Sequence, residues 1–210
     1  MEAEQVTALR MLLARTGWLE RAGVLARALR TSTRSPGGLL LVGTPTDEPW
    51  HLTAHLDAES RLSGIPELMP TLVRWSPPPD APPHLSVGLA RLEAARRGET
   101  LFVVSGQTAP VPLLERVNDA RRVGATILAL AGGADPELAG LAHEALTAPA
   151  AVSFDAAQHL VSAAAGDRDE SEWQRARGRS DGPGGRDLRG ARSLRSRVAR
   201  LLDIVSGPSA

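Results

Sequence analysis

GETLFVVSGQTAPVPLLERVNDARRVG, residues 98–124, is the stretch whose reading decides the fold. Residues 101–104 are a short apolar run, 105–109 a small polar loop, and a helix opened by proline follows. A strand that runs straight into a Ser/Gly/Thr loop and a helix N-terminus presents main-chain N–H groups and hydroxyls to one point. That arrangement suits a phosphate or another small anion, and it needs no net positive charge. The stretch points to an α/β protein that holds a phosphorylated metabolite.

The rest of the chain repeats this strand–loop–helix unit. Residues 39–42, Leu-Leu-Leu-Val, are apolar on both faces, as a buried parallel strand requires. Gly43-Thr44-Pro45-Thr46-Asp47 reads as a turn, with Thr46 or Asp47 placed to cap a helix over 48–62. Residues 72–75 form a further short strand, and the proline-rich 76–84 a surface connection. Helical spacing returns over 84–97 through Leu85, Leu89 and Leu92. Residues 125–131 make another buried strand, a short helix runs from Pro136 to His143, 145–148 is an edge strand, and 154–165 is helical. The alternation predicts a doubly wound, five-stranded parallel sheet flanked by helices.

Outside this unit, residues 3–33 have helical periodicity with a break at Thr16 and Gly17. The domain is expected to span 1–165. Residues 166–187, dense in charge and glycine, read as a disordered linker, and 188–206 as a C-terminal helix.

The 210 residues carry 24 basic and 24 acidic side chains, so no global field favours nucleic acid or a membrane surface. Every basic residue is arginine. With no cysteine there is neither a disulfide framework nor a thiolate metal site. Acidic residues at the start and the lack of a long apolar run give a cytoplasmic, soluble expectation.

Four places resemble the sugar-isomerase (SIS) domain over residues 20–165. Leu39-Leu40-Leu41-Val42-Gly43-Thr44 is similar to its first strand and turn, and residues 98–108 to its second strand and Ser/Thr phosphate loop. Arg121-Arg122-Val123-Gly124-Ala125 matches the end of the next helix. Ala129-Leu130-Ala131, with residues 136–142, is similar to the following strand and short helix. Aligned without gaps, Ser105 takes the first serine of the family's Ser-x-Ser-Gly-x-Ser/Thr loop and Gln107 the second. With the loop shortened by two, Ser105-Gly106-Gln107-Thr108 takes the Ser-Gly-x-Thr positions. The resemblance implies substrate and phosphate contacts from Gly43, Thr44, Thr46, Ser105, Gly106, Gln107 and Thr108. It also implies a homodimer or homotetramer with the site at a subunit interface; no cofactor is expected.

Sugar-phosphate isomerases and related lyases remove a proton beside a carbonyl, a task for a carboxylate in a partly desolvated pocket. Residues 54–59 resemble the His-Phe-Ala-Glu-Glu pattern of the phosphoheptose-isomerase branch, which makes Glu59 the base and His55 a proton donor or substrate contact. Glu48 is a second candidate carboxylate, with stabilisation of a helix N-terminus as its other reading. His51, His55 and Glu59 lie on one helical stripe, yet three ligands on successive turns converge on one ion only if another element contributes. Asp155-Ala156-Ala157-Gln158 resembles the start of that branch's last helix, but Gly166 stands where the branch has a metal-binding histidine. His159 is read as pointing elsewhere on its helix, so no metal is expected. The expected ligand is a phosphorylated sugar such as N-acetylglucosamine 6-phosphate, isomerised or dehydrated. A non-catalytic phosphosugar sensor is the alternative, and a structural subunit that has lost its site is a third.

Overall fold

A computed structural model describes residue 13 and residues 16–167, and the expected linker beyond Asp167 and helix 188–206 lie outside them. Five strands form one parallel sheet: β1 Leu39–Val42, β2 Pro70–Val73, β3 Thr100–Ser105, β4 Thr126–Ala131 and β5 Glu144–Thr147, in the order β2-β1-β3-β4-β5. Leu41 pairs with Leu72 on one side and Phe102 on the other, and Phe102 in turn pairs with Leu128.

Because strand side chains alternate faces, each strand feeds two cores. Leu39, Leu41, Phe102, Val104, Leu128 and Leu130 join the helices α1 (Trp18–Ser32), α2 (Trp50–Ser63) and α6 (Phe154–Gly166). Leu40, Val42, Leu101, Val103, Ile127 and Ala129 join α3 (Ala90–Glu93), α4 (Val111–Arg122) and α5 (Pro136–Leu141). All four residues of β1 and all six of β3 are buried, which explains their lack of polar alternation.

The break near Thr16 and Gly17 is present: Gly17 adopts the left-handed conformation (φ 65°) and α1 starts at Trp18. The expected helix over 84–97 is not. A 3-10 turn at Pro83–Leu85 and the single turn α3 replace it. Arg74 N–H donates to the Val87 carbonyl (2.8 Å) and Arg74 bridges to Gly88. Residues 87–88 are thereby held extended beside the end of β2, where a helix could not lie. Among the described residues, no helix is long and apolar enough to cross a membrane.

Candidate functional site

The strand order reverses between β1 and β3: the chain leaves β1 toward β2 on one side and β3 toward β4 on the other. In an open parallel sheet, the crevice beyond the carboxyl ends of two such strands is where ligands bind. Here the loops beginning at Gly43 and Gly106 border it.

The first loop is closed upon itself. Thr44 N–H donates to the Asp47 carbonyl and Asp47 N–H to the Thr44 carbonyl, both at 3.2 Å. The Thr44 and Thr46 hydroxyls lie 3.4 Å apart. Trp75 Nε1 donates to the Gly43 carbonyl at 2.8 Å. Glu48 accepts from Arg74 Nε (2.9 Å) and from the Trp75 N–H (3.0 Å), and the Arg74 guanidinium lies 4.4 Å from the Trp50 ring centre. Glu48 thus ties this loop to the end of β2.

The second loop is different. Ser105 is fully buried, and its hydroxyl donates to the Gln107 carbonyl, while its own carbonyl accepts from Gly132 N–H (2.8 Å). Among the described residues nothing accepts from the N–H groups of Gly106, Gln107 and Thr108, and Gln107 and Thr108 are exposed. Helix α4 adds little. Its neighbouring Ala109 N–H donates to Asp135 Oδ2 at 2.8 Å, and Pro110 and Pro112 have no N–H. Asp135, itself buried, also caps α5 through Leu138 N–H (3.0 Å).

The two loops meet at Gly106. A β-carbon there would stand 2.8 Å from Asp47 Oδ2 and 3.4 Å from the Phe154 ring, and one at Gly132 would stand 2.6 Å from the Gly106 carbonyl. Only glycine allows the Asp47 carboxylate and the neighbouring turn so close. Asp47 entered the sequence reading only as a helix cap; its approach to Gly106 depends on contact between two loops sixty residues apart, which periodicity does not carry.

The remaining candidates sit on α2 and α6, which pack together. Contrary to expectation, His159 does not point away: its ring centre is 4.3 Å from that of His55 and 5.3 Å from that of His51, with His51 and His55 5.4 Å apart. The helix–helix contact turns His159 toward the stripe, while Gln158 takes the buried position and its Nε2 donates to Asp155 Oδ1 (3.4 Å). Burial holds the pKa values of His55 and His159 below the ordinary 6.5. Repulsion from His159 and then His51 adds to this at His55. Repulsion from His51 adds to it at His159, against an opposing pull from Asp155. Glu59 is half-buried one turn beyond His55, about 13 Å along the helix axis from Trp50 and hence from the loops. The structure therefore separates the predicted residues into two groups. Gly43, Thr44, Thr46, Glu48, Ser105, Gly106, Gln107 and Thr108 lie at the switch point, whereas His55, beside His159, and Glu59, one turn further on, lie on α2.

No protein-family model matches this sequence, and no curated protein matches it either. Two crystal structures are similar in shape. One, from Silicibacter pomeroyi, is described as a "putative phosphosugar isomerase": TM-score 0.53, 18% identity, covering 95% of this chain and 51% of that one. The other, from Salmonella typhimurium, is described as a "putative sugar binding protein": TM-score 0.52, 16% identity, covering 96% of this chain and 53% of that one. The likeness is one of fold. This chain spans about half the length of either structure.

Proposed function

We propose that the chain binds a phosphorylated sugar at the β1–β3 switch point and acts on it as a lyase, dehydratase or isomerase. The observation that carries this reading is the run of three main-chain N–H groups, Gly106 to Thr108, that find no acceptor among the described residues at an exposed loop. A phosphate ester offers them acceptors, together with the Thr108 hydroxyl. Arg74 is already paired with Glu48, so the grip rests on neutral donors. The Asp47 carboxylate repels a dianion and accepts instead from a sugar hydroxyl, which fixes the ligand's direction in the crevice.

The substrate class is an amino-sugar 6-phosphate such as N-acetylglucosamine 6-phosphate. A carboxylate removes the proton next to the open-chain carbonyl. With a 2-acetamido group no hydroxyl is there to become a new carbonyl, and loss of water from C3 follows. Glu59 is the proposed base with His55 as proton donor or substrate contact, and Asp47 is the rival carboxylate, being the nearer to the loop. The assembly proposed with this chemistry is a homodimer or homotetramer, in which one copy's α2 faces another copy's loops.

Calorimetry with sugar 6-phosphates, the matching free sugars and inorganic phosphate tests the reading. Binding is expected only with the phosphorylated sugars, and Gly106→Ala, whose β-carbon crowds Asp47 and shifts the loop's donors, is expected to weaken it by about tenfold or more, as misplacing one charge-assisted hydrogen bond would. Absence of any phosphate-dependent heat overturns it. In parallel, ultraviolet-absorbing product is followed: Glu59→Gln that binds without turnover assigns the base, whereas undiminished turnover with Asp47→Asn inactive moves it to Asp47. One observation favours the binding-only alternative. Glu48 and the Ser105 hydroxyl, both candidate site groups, are engaged within the protein. Tight binding with no turnover across the panel selects a sensor.

A further inference from the structure

We propose that His51 and His55 of α2 and His159 of α6 form a three-imidazole site for a divalent transition-metal ion. One ligand nitrogen from each of the three residues lies within 4.8 Å of the other two. In a tetrahedral zinc site with bonds of about 2.0–2.1 Å, neighbouring nitrogens are about 3.3 Å apart. Small side-chain rotations close that gap, because two ligands are an i, i+4 pair on one helix and the third comes from the helix packed beside it. The second element is what a single-helix stripe lacks.

Three histidines this close need an explanation. Among the described residues none of their rings makes a hydrogen bond with the protein, and His159 Nδ1 is buried with no partner at all. An orphaned buried nitrogen is costly. The contrast is His143, whose Nδ1 accepts from Ile127 N–H at 2.9 Å as a structural histidine does. Burial also favours the neutral rings that metal binding requires. An all-imidazole donor set selects zinc, nickel, cobalt or copper over magnesium and calcium. His51 is exposed and the other two rings are half-buried, so an ion enters from solvent. Three protein ligands leave a fourth position for water or a substrate oxygen.

The test uses the full chain without an affinity tag, stripped with chelator, in the absence of any sugar phosphate. Its outcome is therefore separate from that of the phosphosugar reading. Cobalt(II) is titrated and its visible d–d absorption followed, with metal analysis after gel filtration and thermal midpoints with and without zinc. One equivalent per chain is expected, with a cobalt spectrum of low-symmetry nitrogen ligation and a zinc-dependent rise in midpoint. His159→Ala is expected to weaken binding by more than about 100-fold and abolish the rise, since even residues behind a ligand cost 10–100-fold. His84→Ala, which touches no member of the cluster, is expected to retain both. Circular dichroism in chelator establishes that each variant is folded. His55→Ala provides an independent second variant if His159→Ala is not. No cobalt spectrum together with no midpoint shift overturns the site, as does stoichiometric binding that survives in both His159→Ala and His55→Ala.

Discussion

The loops after β1 and β3 occupy equivalent ends of adjacent strands, yet one is closed and the other open. In the 44–47 turn the main-chain groups pair with each other, the Gly43 carbonyl is held by Trp75, and Glu48 is fastened to Arg74. In the 105–108 loop a serine hydroxyl is drawn inward while three successive N–H groups find no acceptor among the described residues. The first loop is a strut, and its polar groups contribute to stability. The second leaves its donors unmet among the described residues, so its contribution to stability is small. The two therefore respond differently to substitution: stability falls in one, affinity in the other.

Gly43→Ala is the harshest way to break that contrast. A β-carbon there falls on the Asp47 carbonyl oxygen and 2.7 Å from Pro49 Cδ, so main chain and a proline ring must move. Unfolding in urea is expected to show a loss of about 2–3 kcal/mol. Gly106→Ala meets only the far end of the flexible Asp47 side chain and the rim of Phe154, so its urea midpoint should move far less while phosphosugar affinity falls. Equal destabilisation by the two substitutions would erase the distinction between strut and receptor.

Glu48→Ala sharpens the same point. Both side chains of its ion pair with Arg74 are largely buried, at 13% and 17% exposure, and the Trp75 N–H loses its acceptor as well. A cost of about 2 kcal/mol is expected from a stranded guanidinium and an unmet N–H. Arg74→Ala in the same chain should restore part of that loss, because the two residues interact directly. If Glu48 acts chemically instead, turnover disappears with stability unchanged, and the strut assignment fails.

The contrast also marks what could be read from the amino acids alone. Residues 39–42 and 101–104 announce buried parallel strands because both faces are apolar, and Pro110 with the preceding Ser-Gly-Gln-Thr marks loop and helix start within a few residues. These signals are local. The α3 region misled because Leu85, Leu89 and Leu92 fit a helix, while Arg74, ten or more residues earlier, holds 87–88 extended. The loops of the candidate site were legible in the sequence, and the partners of their side chains were not. Whether Glu48 faces substrate or Arg74, whether Asp47 reaches Gly106, and whether His159 meets His55 are all fixed by packing between distant elements. His159 lies more than a hundred residues from His51, and the packing of α6 on α2 decides which of its neighbouring positions meets the stripe.

The smallest effect concerns the open groups on α2 and α6. Burial first, and neighbouring rings second, hold His55 and His159 below the ordinary pKa of 6.5 in the folded chain, whereas unfolding releases them to about that value. Between the lowered folded values and 6.5 the unfolded chain binds more protons, so folding stability rises with pH across that window. It is fully present above about pH 6.5 and is lost progressively as the solution is acidified below it. In the presence of chelator, the thermal midpoint of the parent chain is therefore expected to fall between pH 7.5 and 5.5 by more than that of a His55→Ala/His159→Ala chain. The protonated rings then face one another, with Asp155 offsetting part of the repulsion at His159. Parallel pH profiles for the two proteins would mean that the rings are hydrated in the folded state as in the unfolded one, and that the α2–α6 cluster is not the desolvated pocket its buried nitrogen indicates.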